Sequence, residues 1–241
     1  MGFVYIKKEY SPPKLIALIY KKYFAIIFFA IGIILLSSAI FPILSYQLKY
    51  SNRFNRIIDP VSSNLYIEHN VLGDKNQSGI DYTQLSNWFV NSEKILKSSV
   101  DVNYSVSHYY LTIPKLKIDK ADVIINSQDL KKSLVQYPKT APPGQSGNTV
   151  IIGHSVLPQF FNPKYYMTIF STLFKLKEGD DIVIDYDNNQ YRYLVDEIFE
   201  VKPTELSVLE QQFDGKYLTL ITCSPPGTYL RRLVIKAKIV E

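Results

Sequence analysis

The apolar positions of the chain fall into one long run and many short ones. Residues 23–46 contain no charged side chain over 24 positions. A helix needs about 20 apolar residues to cross the hydrocarbon core of a membrane, so this run predicts a transmembrane anchor. A cleaved signal peptide has a shorter apolar region, with small residues at a cleavage site after it. Here Ser37, Ser38 and Ala39 lie inside the run, which favours a retained anchor.

Positive charge is concentrated around this apolar run. The first 104 residues carry 11 Lys and Arg against 7 Asp and Glu, whereas the rest carry 16 against 15. Five lysines precede the run and three basic residues closely follow it. The positive-inside rule therefore predicts that residues 1–22 are cytoplasmic and that the remainder is extracellular. Since the folded part lacks the basic excess that phosphate backbones require, no nucleic-acid partner is predicted.

Residues 47–104 are rich in Asn, Ser and Asp and have weak apolar periodicity. This pattern predicts an extracellular stalk or linker between the anchor and a folded domain. Within it Leu85, Phe89 and Leu96 are roughly helically spaced, which predicts one short helix over residues 82–96.

From residue 105 onward, short β-type runs alternate with turn signals. The runs cover residues 123–125, 149–152, 181–185, 191–199, 217–222 and 233–239. Asp187, Asn188 and Asn189 separate two of them and indicate a hairpin turn, and residues 129–135 and 168–173 have short helical character. The predicted fold class of residues 105–241 is all-β with short helices, a closed β-barrel that leaves no strand edge exposed.

Two of these runs end on a reactive side chain. Residues 148–152 lead through Gly153 to His154, and residues 218–222 lead to Cys223. A core strand has no need of such an end, whereas strand ends at the mouth of a barrel hold reactive groups rigidly. Cys223 is the only cysteine, so no internal disulfide supports the fold, and an exported thiol without a role would be a liability.

Arg231 and Arg232 open the last β-type run. If that run pairs beside the strand of Cys223, a guanidinium reaches the thiol and can hold an oxyanion or a substrate carbonyl. Adjacent strand residues point to opposite faces, so only one of the two arginines can do this. The residue types alone leave a structural alternative open, namely a buried His, a core Cys and two surface arginines.

The sequences around these residues resemble the sortase family. Residues 219–223 read TLITC, which fits the TLxTC signature, and residues 147–154 read GNTVIIGH, similar to GNxxIxGH. Residues 232–235 read RLVI and resemble the arginine segment after the cysteine, while residues 113–119 resemble the opening strand of many sortase domains. The resemblance covers about residues 105–241, and the three motifs occur in the family's order.

The resemblance implies a sortase-like barrel and a cysteine transpeptidase that cleaves an LPxTG-like sorting signal through a thioacyl enzyme. The acceptor would be an amine, from a cell-wall precursor or a pilin lysine. Cys223 would be the nucleophile, His154 the general acid and base, and Arg232 the group that holds the substrate carbonyl. The expected substrate-binding residues are Thr222, Leu206, Val208 and Leu209.

The resemblance implies no cofactor and no metal ligand set. Calcium dependence stays open, because the acidic residues 178–187 are equally well explained as solvated turns and strand ends. Two functional alternatives also stay open: an extracellular cysteine hydrolase that uses water at the same site, and a non-catalytic, membrane-tethered barrel that binds a partner.

Overall fold

The computed structural model describes residues 14–51, 80–90 and 102–240, and the chain divides into two compact units at Pro42 and Ile43. Helix α1 spans Lys14–Tyr46 and is followed by a π-helical turn, Gln47–Ser51. The most apolar 18-residue window of the stretch Tyr23–Tyr50 has a mean hydropathy of 2.7, and none of that window is buried. By length and composition it can cross a membrane, as the sequence predicts.

The second unit is a closed barrel of eight strands, in the order β1-β2-β3-β4-β7-β8-β6-β5. The strands are β1 His108–Ile113, β2 Ile118–Ile125, β3 Leu134–Gln136, β4 Gly147–Ile152, β5 Asp181–Tyr186, β6 Asn189–Val201, β7 Lys216–Ser224 and β8 Arg231–Val240. β4 runs parallel to β7, and β8 is antiparallel to both of its neighbours, β7 and β6. The predicted fold class is confirmed.

Alternating side chains give the barrel wall two apolar faces. Along β7, Leu218 and Leu220 belong to the cluster that fills the barrel, here called the inner cluster. Ile221 and Cys223 belong to a second cluster, here called the outer cluster, which also includes Val234 of β8. Cys223 therefore lies on the outer face of the wall.

All six predicted β-type runs lie within strands. Asp187 and Asn188 have φ values of 50° and 60°, as expected for a hairpin turn of type I′ between β5 and β6.

The described part of the barrel domain contains short helices, but they are 3₁₀ turns whose bounds differ from those of the predicted segments. Residues 129–135 form turns and then β3, which has only three residues and pairs with β2 and β4. Such a short strand shows no period-2 pattern in the sequence, because its three side chains are all buried. Residues 168–173 are also turns, followed by a 3₁₀ turn at Leu173–Lys175.

Candidate active site

Cys223 and Arg232 are directly opposite each other on neighbouring strands, β7 and β8. Such partners in an antiparallel pair have Cβ atoms about 5 Å apart and point to the same face. Both side chains are almost completely buried, at 1% exposure each. Arg231 points to the opposite face, where its Nη1 lies 3.3 Å from Glu200 Oε2.

His154 follows β4, which places it beside the cysteine. Ile152 pairs with Ile221, and the Gly153 amide donates to the Ile221 carbonyl at 3.2 Å. The parallel register therefore continues and brings His154 level with Cys223. A Cβ atom at Gly153 would lie 2.4 Å from Leu134 Cδ2 and 2.7 Å from Phe170 Cδ2, so any larger residue would have to displace these side chains.

Two side chains cross-link the ends of β4 and β7. The Thr222 hydroxyl donates to the Gly153 carbonyl at 2.8 Å, and the Ser155 hydroxyl donates to the Cys223 carbonyl at 2.9 Å. Thr222 directly precedes Cys223 in the sequence, and Ser155 directly follows His154. Thr222, which the sequence predicts to bind substrate, thus has its hydroxyl engaged in holding the histidine segment.

Residues 80–90 cover the candidate site and are here called the covering segment. The Leu85 amide donates to the Gln128 carbonyl at 3.0 Å, and the Val90 amide donates to the Pro203 carbonyl at 3.2 Å. The ring of Tyr82 stacks on Tyr229, 4.0 Å between centroids. Trp88 has no exposed surface, and its ring centroid lies 5.5 Å from that of His154.

The sequence predicts a stalk here, with a helix over residues 82–96. The structure instead has a 3₁₀ turn at Leu85–Asn87 that packs against the barrel, and residues 91–96 lie outside the described part of the chain. The available signal was the only tryptophan of the chain, standing with Leu85 and Phe89 in an otherwise polar stretch. The sequence shows the helical spacing of these apolar residues, but it does not show the surface against which they pack.

The Arg232 guanidinium donates hydrogen bonds to three main-chain carbonyls. Nε and Nη2 both donate to the Trp88 carbonyl, at 3.1 and 2.7 Å. Nη1 donates to the Tyr229 and Arg231 carbonyls, both at 3.2 Å, and the Trp88 ring lies 5.3 Å from Cζ. The covering segment thus engages Nε and Nη2, while the residues just before Arg232 engage Nη1.

The covering segment also packs on the predicted substrate-binding loop. Val208 and Leu209 are buried in the outer cluster together with Leu85, Trp88 and Phe89, and Leu206 packs at its margin. The apolar surface that the sequence predicts as a groove for the sorting signal is thus filled by the chain itself.

Burial makes the two candidate catalytic groups neutral. Desolvation raises the pKa of Cys223 to about 11, although the charge of Arg232 opposes the shift. Desolvation lowers the pKa of His154 to about 4, against the smaller effect of Asp81, which raises it. His154 Nε2 has no hydrogen-bond partner among the described residues. At neutral pH the covered site therefore holds a thiol and a neutral imidazole, not a reactive thiolate.

Replacing Trp88 by alanine is expected to raise the reactivity of the thiol. Water then reaches Cys223, and its pKa falls from about 11 toward the ordinary value of about 8.5. The thiolate fraction at neutral pH rises steeply, while the lower basicity of the thiolate offsets part of the gain, so the net increase is roughly 10- to 100-fold. The measurement is the second-order rate of alkylation by iodoacetamide between pH 6 and 11.

Val90→Ala is the matched control, because Val90 is an exposed side chain of the same segment and its amide hydrogen bond to Pro203 is retained. We expect Val90→Ala to keep the alkylation profile of the original chain. Identical profiles for all three proteins would contradict the assignment of the burial to Trp88.

Among the described residues, no group of three or more His, Cys, Asp and Glu is placed to hold a metal ion. Of the acidic residues in the 178–187 region, Asp180 pairs with Lys115 and Asp181 pairs with Arg192, each at 2.6 Å.

Comparisons with known proteins agree with the geometry. A family model described as the sortase domain matches residues 111–240. Sortase A of Bacillus anthracis is 26% identical over 173 residues, which cover 67% of this chain and 76% of that protein. Sortase SrtE1 of Streptomyces coelicolor is 29% identical over 147 residues, which cover 54% of this chain but only 40% of that protein.

A solved structure shows the same fold. The crystal structure of sortase C-1 from Actinomyces oris superposes with a TM-score of 0.51 at 21% identity. The match covers 62% of this chain and 94% of that one.

Proposed function

The chain belongs to the sortase family, and from that premise we propose that it is a membrane-anchored cysteine transpeptidase. It cleaves an LPxTG-like sorting signal of secreted proteins and transfers the cleaved protein to an amine, from a cell-wall precursor or a pilin lysine. No cofactor takes part in the proposed reaction.

One observation carries this proposal. Cys223 and Arg232 are paired across β7 and β8, and His154 follows β4, which pairs with the other side of β7. A nucleophile, a proton carrier and a permanent cation thus meet on one face of the barrel wall. Thiol-dependent acyl transfer requires these three components.

In the proposed reaction His154 takes the proton of the Cys223 thiol as the sulfur attacks the carbonyl carbon of the scissile peptide bond. The tetrahedral oxyanion is held by the Arg232 guanidinium, and His154 gives a proton to the leaving amine as the carbon–nitrogen bond breaks. This leaves a thioester between Cys223 and the substrate. The acceptor amine then attacks the thioester, His154 takes its proton, and the thiolate departs. Val208 and Leu209, with Leu206 at the margin, would form the substrate groove once the covering segment has moved, while Thr222 would hold the histidine segment through the Gly153 carbonyl.

The proposed layout follows from the charge pattern and the apolar helix. Residues 1–22 are cytoplasmic, residues 23–46 form a single-pass anchor, residues 47–104 lead outward, and residues 105–241 form an extracellular catalytic domain. The helix that meets the length and hydropathy for a membrane span supports this layout. Within 47–104, burial of Leu85, Trp88 and Phe89 supports a covering segment that docks on the barrel.

The test is incubation of the full-length protein in detergent with a sorting-signal peptide and an excess of a small amine such as triglycine. We expect a peptide product joined to the amine, together with a thioester adduct of the protein in its mass spectrum. Only free carboxylate product would favour the cysteine hydrolase, in which water is the acceptor. No adduct with the peptide would favour a non-catalytic binding barrel. Either result would overturn the proposal.

A further inference from the structure

A small polar cluster lies inside the barrel wall, directly behind the candidate active site. It consists of Tyr46, Glu200 and Ser224, all three buried and all in the second unit, and is here called the backing cluster. Its members come from the end of α1, from β6 and from β7. The reaction proposed above uses none of them.

The contacts within the backing cluster are short and cooperative. The Tyr46 hydroxyl donates to Glu200 Oε1 at 2.7 Å and lies 2.8 Å from the Ser224 hydroxyl oxygen. The Ser224 hydroxyl donates to the same carboxylate oxygen. Glu200 Oε1 therefore accepts hydrogen bonds from hydroxyl groups in two distant parts of the chain.

The position of the cluster follows from the strand register. Ser224 comes directly after Cys223, and it pairs with Arg231 just as Cys223 pairs with Arg232. Because side chains alternate along a strand, Ser224 points into the barrel while Cys223 points outward. Glu200 is on β6, the neighbour of β8, so its carboxylate ties β6 to β7 across the end of β8. The cluster thus fixes the stretch of wall in which Cys223 and Arg232 face each other.

Barrel stability gives no reason for a carboxylate at this place. Burying a charge costs several kcal/mol, and well-packed apolar side chains usually serve stability at least as well. The surroundings are suited to apolar packing, since the Tyr46 ring meets Phe174 edge-on at 5.2 Å and Tyr50 at 5.6 Å. Arg231 compensates the charge only weakly, because its side chain is 47% exposed and such ion pairs contribute little. A buried polar network of this kind costs stability, but when its hydrogen bonds are satisfied it makes the surrounding structure rigid.

We propose that Glu200 and Tyr46 are positioning residues, which act through Ser224 to hold the end of β7 and so keep the Cys223 sulfur in line with Arg232. This inference rests on the proposed transpeptidase function. It gives Tyr46, the last residue of α1, a role in positioning the reacting groups. Displacements of about 1 Å at a reacting atom can cost about 100-fold in rate, so a loosened strand end lowers turnover even when substrate binding is unchanged.

The test compares three variants of the full-length protein in detergent: Glu200→Gln, Tyr46→Phe and Ser224→Ala. Glutamine keeps the shape and phenylalanine keeps the ring packing, so each removes charge or hydrogen bonds alone. We expect kcat to fall about 10-fold in Glu200→Gln and severalfold in the other two, with KM for the sorting peptide changed less than twofold. Because all three act through one carboxylate oxygen, Tyr46→Phe should cost little more in the Glu200→Gln background.

Ser105→Ala is the matched control, since it removes another hydroxyl contact of the barrel, that of Ser105 with the Tyr186 hydroxyl at 3.1 Å. We expect its kcat to be unchanged, and its melting temperature to fall less than that of Tyr46→Phe because Ser105 is exposed. Equal kcat in all proteins, or losses that parallel the melting temperatures of variants and control alike, would overturn the inference.

Failure of the proposed function would be recognised separately. If the original chain transfers no sorting peptide, the proposed function fails first, and the backing cluster is then judged by amide hydrogen exchange. Faster exchange at residues 222–224 and 231–233 in Glu200→Gln, but not in Ser105→Ala, would support the positioning role. Unchanged exchange there would overturn it.

Discussion

Replacing Cys223 by alanine is expected to abolish both transpeptidation and formation of the thioester adduct. No other thiol exists in the chain, and removing the nucleophile of a covalent mechanism lowers kcat by about a millionfold in comparable hydrolases. The rate of transfer of a sorting peptide to an amine, and the mass of the protein after incubation with the peptide alone, measure this loss.

The fold of the Cys223→Ala variant should survive, because Cys223 lies in the outer cluster and a change of this size usually costs about 1 kcal/mol. Thermal unfolding checks this point. The single cysteine supplies a second readout, since the original chain should bind one equivalent of a thiol reagent and the variant none. Residual transfer well above background in a folded variant would mean that Cys223 is a structural residue.

Replacing Arg232 by alanine is expected to lower kcat/KM by about 100- to 1,000-fold, the usual effect of removing an oxyanion donor. Arg232 is directly opposite Cys223, and its charge counteracts the rise in the pKa of the thiol. Its loss thus removes the oxyanion partner and also makes the thiolate harder to form. Steady-state kinetics with a sorting peptide give the magnitude.

Arg231→Ala is the matched control for this arginine. Arg231 faces the other side of the wall, is half exposed, and makes one ion pair of 3.3 Å, so its loss should change kcat/KM only a few fold. The reverse ranking of the two variants would mean that the strand register is shifted by one residue.

Arg232→Ala also removes the partner of the buried carbonyl of Trp88 and of the partly buried carbonyls of Tyr229 and Arg231. Each buried carbonyl left without a donor costs about 1–3 kcal/mol, so the variant should be less stable. Arg232→Lys separates the two effects, because it keeps the positive charge without the planar set of donors. We expect Arg232→Lys to be more stable than Arg232→Ala and still strongly impaired in kcat.

Arg232 takes part both in binding the covering segment and in the proposed catalysis. The Arg232 guanidinium cannot hold the carbonyl of Trp88 and that of a substrate with the same two nitrogens. In the proposed reaction, residues 80–90 therefore leave Arg232 before the sorting signal enters. The Trp88→Ala variant described above tests the first part of this sequence without any substrate.

The barrel could be predicted from the sequence because its pattern is local. Each predicted strand is a run of apolar and β-branched residues between turn signals, and hairpins such as the one at Asp187 and Asn188 need only neighbours in the chain. β3 was missed because its three residues are all buried, so no alternation of apolar and polar positions marks it.

The amino-acid sequence by itself determined the chemical groups of the site and their order. His154 and Cys223 end β-type runs, and a strand end carries its side chain to a known edge of the sheet. Once β8 is placed beside β7, the period of two along a strand allows only one of Arg231 and Arg232 to face the thiol, and the register that selects Arg232 is seen in the folded barrel. These inferences need only local pattern and pairing of neighbouring strands.

Only the tertiary structure decided what surrounds those groups. Trp88 meets Arg232 across 144 residues of chain, and Tyr46 meets Glu200 across 154. Neither segment carries a motif, since a tryptophan in a polar stretch and a tyrosine at a helix end fit many environments. Packing of distant segments determines which surface they bury, and with it the burial that raises the pKa of Cys223 and lowers that of His154. The nucleophile follows from the sequence, whereas its resting state follows from the fold.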